Sequence, residues 1–444
     1  MKKEKNKRYE GGITLVALVV TIVILLILAG VSLNLVIGNE GILTRSKEAA
    51  NKYGKQAENE QQGLNDVETW FGEQFGGSTG SGEDKGVIKV PVNTKATKNG
   101  TINGKEPNIN NPIIPKGYTP INAGSATWGD GSSSPAQSSI DNGLVIKDDN
   151  NNEWVWIPVE ASVLSGMYET SNDGIALSGD VGVTTKMYTN SVTIGRTGDT
   201  KTLSRGTPNT TGWREPDLIV GSDSASYDKK ESYYKTILGY DTQKAMAEAF
   251  TIDYANMIAS IQKYGGFYIG RYELSNDGVQ KGKATLTNTN WYNLYKKCTT
   301  LNASDKVESR MIWGIQWDLA CDFISKKGEQ KSITNSTAWG NYNNSTGNAA
   351  VMDGETKKYG SKQVTGYSEY WKANNIYDIA GNCWEWTQEA LSTNYRALRG
   401  GHSSSDGSSR PASYRNNNFA DDVNYSVLRF PSHFNNKVAL DPDG

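Results

Sequence analysis

The 444-residue chain carries 46 Lys and Arg against 48 Asp and Glu, a net charge of -2 that gives no electrostatic reason to bind nucleic acid. Its three cysteines, Cys298, Cys321 and Cys383, form no CxxC pair and no disulfide framework, and His402 and His433 cannot supply a histidine-cluster iron or zinc site. Abundant Asn, Ser, Thr and Gly beside 23 Tyr and 12 Trp suit a loop-rich fold with exposed binding surfaces rather than a long helical bundle.

The first element is a basic leader, residues 1–12, in which Lys2, Lys3, Lys5, Lys7 and Arg8 outnumber Glu4 and Glu10. Residues 13–37 follow without a charge, and at about 1.5 Å per helical residue they cover a hydrocarbon core of about 30 Å. A positive flank stays cytoplasmic, so the remainder is expected outside a bacterial cell membrane crossed once. The segment GGITLVALVVTIVILLILAG resembles a prepilin N-terminus, which implies cleavage between Gly12 and Ile13 and an N-methylated membrane helix. Type IV pilins usually carry Glu at the fifth mature position and this chain has Ala17, a departure that argues against polymerisation with other pilin-like subunits and leaves anchoring intact. A helical stripe through Leu43, Ala50, Tyr53, Ala57, Leu64, Val67 and Phe71 extends the anchor into a stalk, giving one long pilin-like helix and stalk over 13–75.

From 76 to 142 the chain begins with GGSTGSG and continues rich in Thr, Asn, Gly, Ser and Pro, which predicts a flexible linker and extended stem. The main domain is placed at 143–435 and a tail at 436–444. EWVWIPV and GGFYIGRYELS predict strands, with a loop-rich insertion over 160–240 between them. KAMAEAFTIDYANMIASIQKYGG has helical spacing at Met246, Phe250, Tyr254, Ile258 and Ile261 and a closing glycine pair. ESRMIWGIQWDLACDFISKKG predicts a second helix with Trp313, Trp317, Ala320, Cys321 and Ile324 on one face.

The densest motif is NNIYDIAGNCWEWTQEA, followed by YRALRGGHSSS, RPASYRNNNF and VLRF. Together with EWVWIPV, GGFYIGRYELS and IQWDLACDFI, in that order, these resemble the formylglycine-generating-enzyme (sulfatase-modifying factor) family over 143–434. The resemblance implies an α+β, C-type-lectin-like fold with two helices, small twisted sheets and much irregular backbone. Trp384 and Trp386, on alternating positions, read as core. Asn382 and Glu385 offer oxygen ligands for Ca²⁺, as in some members of that family; an ion pair between Glu385 and Arg399 is the competing use. The glycines of RGG and the GN before WEW predict tight turns.

Family members that oxidise cysteine to formylglycine bind copper through paired cysteines just after RGG, and soft thiolates are what Cu(I) requires. Here that stretch is HSSSDGSSRPASYRNNNFADDVNYS, without a cysteine, so the copper site cannot be built. His402, Ser403 and Asp406 lie adjacent in sequence but bring no nucleophile elbow and make no triad. What remains is a recognition segment. Its ligand contacts are expected from His402, Ser403, Ser404, Ser405, Asp406, Ser408, Tyr414, Asn416, Asn418 and Phe419, with Arg410 and Arg415 as charged contacts. Some proteins of this lectin fold are diversified by retroelements that mutate adenines, turning Asn codons into Ser, Asp, His, Tyr or Phe, and the segment shows that spectrum. The expected protein is a non-catalytic, membrane-anchored binder of an extracellular protein or glycan; a divergent sulfatase-modifying enzyme and a structural minor pilin or pseudopilin are the alternatives.

Overall fold

The computed structural model of the protein describes residues 87–170, 186–188, 191–204, 213, 215, 232–301, 307–352, 355–356, 361–391, 395–422, 434–436 and 438–441. The chain divides into two units, 1–84 and 85–444. The leader, the cleavage pair Gly12 and Ile13, the membrane segment and the stalk lie outside the described residues. Among the described residues no helix is long and apolar enough to cross a membrane.

The larger unit is a mixture of helix and sheet. Its first sheet is built from β1 (Thr119–Ile121), β2 (Val145–Lys147), β3 (Glu153–Pro158), β4 (Gly266–Gly270), β5 (Glu308–Met311) and β10 (Val438–Asp441), in the order β5, β10, β4, β3, β2, β1, with every pairing antiparallel. Trp154, Val155, Trp156 and Ile157 of β3 are all fully buried, so both faces of the sheet are covered and the strand reads as an unbroken apolar run. Trp156 also meets Tyr268 of β4, with ring centroids 5.1 Å apart.

Helix α1 (Gln243–Tyr264) begins where the Thr242 side chain accepts the Ala245 amide and ends at Gly265, which adopts the left-handed conformation that terminates helices. Its apolar stripe is the expected one: Met246, Phe250, Tyr254, Ile258 and Ile261 are buried. A short helix that the sequence analysis does not anticipate, α2 (Trp291–Cys298), is capped by Asn290 accepting from Asn293. The second predicted helix is shorter than its pattern, because α3 (Gly314–Lys326) is preceded by β5. Residues 308–311 are drawn into strand by a ladder to β10, in which Arg310 opposes Ala439.

A second sheet comprises β6 (Trp384–Ala390), β7 (Tyr395–Arg399), β8 (Arg415–Phe419) and β9 (Phe434–Asn436), ordered β8, β7, β6, β9, with β6 and β9 parallel. Every residue of β6 is buried. The loop-rich insertion contains a helix at Ala161–Met167 and hairpins pairing Tyr168–Thr170 with Lys186–Tyr188 and Ser191–Ile194 with Lys201–Ser204.

Two boundaries differ from expectation. Residues 87–142 are not a stem: Val90, Ile102, Ile113, Ile114, Trp128 and Ile140 belong to the core, and β1 extends the first sheet. Their apolar residues are sparse but most are spent inside or packed against the core. The expected tail at 436–444 contains β10, which lies between β4 and β5, because two otherwise unpaired strand edges need a shared neighbour.

Candidate functional site

The site is assembled at the end of the second sheet, on a buried polar hub. Asn382, fully buried with φ 55°, takes up both ends of its carboxamide within the protein: its oxygen accepts from Asn341 and from the Gln363 amide, each at 2.9 Å, while its nitrogen donates to Glu273 at 2.5 Å. The Cys383 amide donates to the same Glu273 carboxylate at 3.1 Å, and the Ser403 amide donates to the Asn382 carbonyl at 3.0 Å. These bonds account for the GN turn and tie five chain segments together. The Asn382 side-chain oxygen, one of the oxygens expected for Ca²⁺, here accepts two hydrogen bonds. Glu385 is fully buried, and Arg399, opposite it in the β6–β7 ladder, reaches other carboxylates. Among the described residues no group of three or more His, Cys, Asp and Glu is arranged to hold a metal ion.

Beneath β8 lies a buried charge cluster. Arg399 reaches Asp318 of α3 at 2.5 Å and Glu389 of β6 at 3.7 Å, all three fully buried, and Arg415 reaches Glu389 at 2.8 Å. The Arg415 side chain is only 7% exposed, donates to the Ser204 carbonyl and lies against the Trp213 ring. It therefore anchors β8 to the scaffold, with little of its side chain left exposed. Glu215 completes the region by accepting the first amides of α3, from Gly314 and Ile315, where a carboxylate complements the helix dipole.

Above this base stands Trp384, with His402 and Tyr414 at ring-centroid distances of 5.8 and 5.9 Å and the Arg410 guanidinium 5.8 Å over its ring. The turn from RGG carries these groups outward. Gly401 has φ 76°, and a Cβ there would sit 2.5 Å from the Arg410 carbonyl oxygen, so only glycine lets the two arms of the loop close. Asp406 shapes the far end, its Oδ1 accepting from the Ser408 amide and hydroxyl at 2.7 and 2.6 Å and from the Ser409 amide at 3.0 Å. Those bonds, the Ser408 hydroxyl first, hold its carboxyl below the usual aspartate range. The Arg410 amide closes the turn onto the Asp406 carbonyl at 2.8 Å.

Of the predicted contacts, the structure gathers His402, Arg410 and Tyr414 around Trp384, leaves Ser408 and Phe419 exposed, and leaves Ser404, Asp406 and Asn416 partly exposed. Ser403, Ser405 and Asn418 turn inward, with 0%, 3% and 4% exposure, because the tight turn and the strand alternation direct them at the scaffold. Asn417, absent from the predicted set, is partly exposed. Phe419 lies opposite Tyr395 in the ladder, with ring centroids 4.2 Å apart. Trp384 is 6% exposed and belongs to the core as predicted, and its ring also lies under the Arg410 guanidinium, a contact that sequence pattern did not reveal.

The cysteines take no part in this surface. Cys298, Cys321 and Cys383 are all buried and unbridged, and burial pushes the Cys321 and Cys383 thiols far above their ordinary range. A cavity of about 280 Å³ lies elsewhere, between Pro158, Val159 and Val163 on one side and Leu319 and Phe323 of α3 on the other.

No family model matches the chain, and no curated protein matches it. Among solved structures it is similar to Treponema denticola variable protein 1, at 13% identity over 78% of this chain and 99% of that one, with a TM-score of 0.21. A superposition that loose carries no conclusion about fold or chemistry.

Proposed function

We propose that the chain is a non-catalytic recognition protein that binds an external ligand through the surface formed by His402, Arg410, Tyr414, Asn416, Asn417 and Phe419. The observation that carries this reading is a contrast of commitment. The hub and charge cluster below the surface are knitted together by hydrogen bonds and ion pairs, whereas the Arg410 guanidinium, the Tyr414 hydroxyl and the carboxamides of Asn416 and Asn417 make no hydrogen bond or ion pair among the described residues. Adaptable polar groups and aromatics on a rigid scaffold are what a recognition surface requires.

The finer parts of the reading rest on sequence. The order of motifs supports a C-type-lectin-like fold of the formylglycine-generating-enzyme type, and the lack of cysteine after RGG supports a role without oxidation chemistry. The uncharged 13–37 segment supports a membrane anchor that displays the rest outside a bacterial cell. Ser404, Ser408, Asn416, Asn417 and Phe419 are partly or well exposed, which suits a segment diversified at the gene level.

The test is equilibrium binding of the full-length chain to arrayed cell-surface proteins and glycans, beside a variant carrying Arg410→Ala, Tyr414→Ala and Asn417→Ala. Saturable binding that the triple variant loses while melting at the parent temperature supports the surface. Binding that the variant retains places recognition elsewhere.

A further inference from the structure

Arg410 differs from the other arginines around it. Arg271 faces Glu153, Arg310 faces Asp253 and Glu308, and Arg399 and Arg415 share Glu389, so each of these has a carboxylate beside it. Arg410 is exposed and has no acidic partner among the described residues, and the one carboxylate in its own turn, Asp406, is occupied by Ser408 and Ser409. Its guanidinium is nevertheless placed: the backbone is fixed by the bond to the Asp406 carbonyl, and the group lies over the Trp384 ring. A guanidinium held over an aromatic ring keeps its planar fork of donors free, and that fork matches a carboxylate in two parallel hydrogen bonds.

The remainder of the surface indicates what carries the carboxylate. None of its residues lines the 280 Å³ cavity, and Ser408, Arg410 and Phe419 are exposed, so the surface presents an open face rather than an enclosure for a small molecule. The Trp384 ring is 6% exposed and covered by Arg410, so it offers no open aromatic face on which a pyranose could stack. Phe419, by contrast, is 45% exposed at the far end of β8, an apolar anchor of the kind that protein partners cover. Between these ends the Asn416 and Asn417 carboxamides supply donors and acceptors suited to a peptide backbone.

Building on the recognition role proposed above, we infer that the occupant of this surface is an acidic segment of a protein partner. Its carboxylate pairs with Arg410 on the Trp384 platform, its backbone meets Asn416 and Asn417, and an apolar side chain covers Phe419.

Panning a phage-displayed library of random peptides against the immobilised full-length chain tests the inference, with Arg410→Ala, Arg410→Lys and Arg410→Glu chains panned in parallel. The expected result is enrichment of Asp- and Glu-rich clones that bind Arg410→Ala about tenfold or more weakly. Arg410→Lys should retain the acidic preference at reduced affinity, and Arg410→Glu should select Lys- and Arg-rich clones instead. Enrichment without acidic bias, a bias that survives Arg410→Glu, or no enrichment at all overturns the inference. Clones weakened by Asn416→Ala and Asn417→Ala but indifferent to Arg410 overturn the charge pairing and leave the recognition surface standing. Binding of arrayed acidic oligosaccharides through Arg410, in place of peptides, overturns the protein class alone. Melting curves of the Arg410 variants should superimpose on the parent, which separates lost contact from lost fold.

Discussion

Arg399 and Arg410 leave the same turn-rich segment for opposite environments, and the difference separates stability from recognition. Arg399 neutralises Asp318 inside the protein, so Arg399→Ala strands a buried carboxylate and should cost about 3–5 kcal/mol in urea unfolding. Arg410→Ala removes an exposed group and should change stability by no more than about 0.5 kcal/mol. Equal losses at the two positions would mean that the surface arginine is structural. Glu369 makes the pH dependence specific. Burial opposes its ionisation, but hydrogen bonds from Lys281, Lys372 and Tyr377 outweigh it and lower its carboxyl from an ordinary 4.5 to about 2. Because the folded state holds this group ionised more strongly than the unfolded chain does, its contribution is complete above pH 4.5 and is lost as pH falls towards 2. Carboxyl NMR titration should find that low midpoint, and Glu369→Gln should remove its share of the acid dependence; a midpoint near 4.5 would show the network to be inactive in solution.

Helix α1 and strand β3 were legible in the sequence because their signals are local: a five-residue apolar stripe closed by glycine in one case, a run of alternating tryptophans in the other. The Thr242 cap is equally local, and Thr242→Ala should cost about 1 kcal/mol, measured by thermal melting. No change would show that tertiary packing alone sets where the helix starts. Strand β10 was not legible, since VALD is short and its partners, β4 and β5, lie far back in the chain. Its position in the first sheet makes a strong prediction. Truncation after residue 437 should separate β5 from β4 and abolish cooperative unfolding, whereas a dispensable tail would leave the melting transition unchanged. The same argument explains the misplaced boundary at 142, where low apolar content concealed a segment most of whose few apolar side chains enter the core.

At the scale of the whole molecule, the proposed recognition surface rests on composition, but which of its side chains point outward was not legible there. Ser, Asn, Tyr and Arg between 402 and 419 mark a recognition segment. Which of them point outward is decided by the Gly401 turn, the Asn382 hub and the pull of Glu389 on Arg415, all of them long-range effects. Ser403, Ser405, Arg415 and Asn418 thus became scaffold, and Asn417 joined the surface. The resulting division, a committed interior beneath an uncommitted face, is what supports the proposal that a ligand meets β8 and the RGG turn rather than the cavity beside α3. Hydrogen exchange of the full-length chain, with and without a saturating array-selected ligand, asks where the ligand sits. The account predicts protection concentrated at 402–419 and at Tyr395. Protection centred instead on Val159, Val163, Leu319 and Phe323, with 402–419 unchanged, would contradict it.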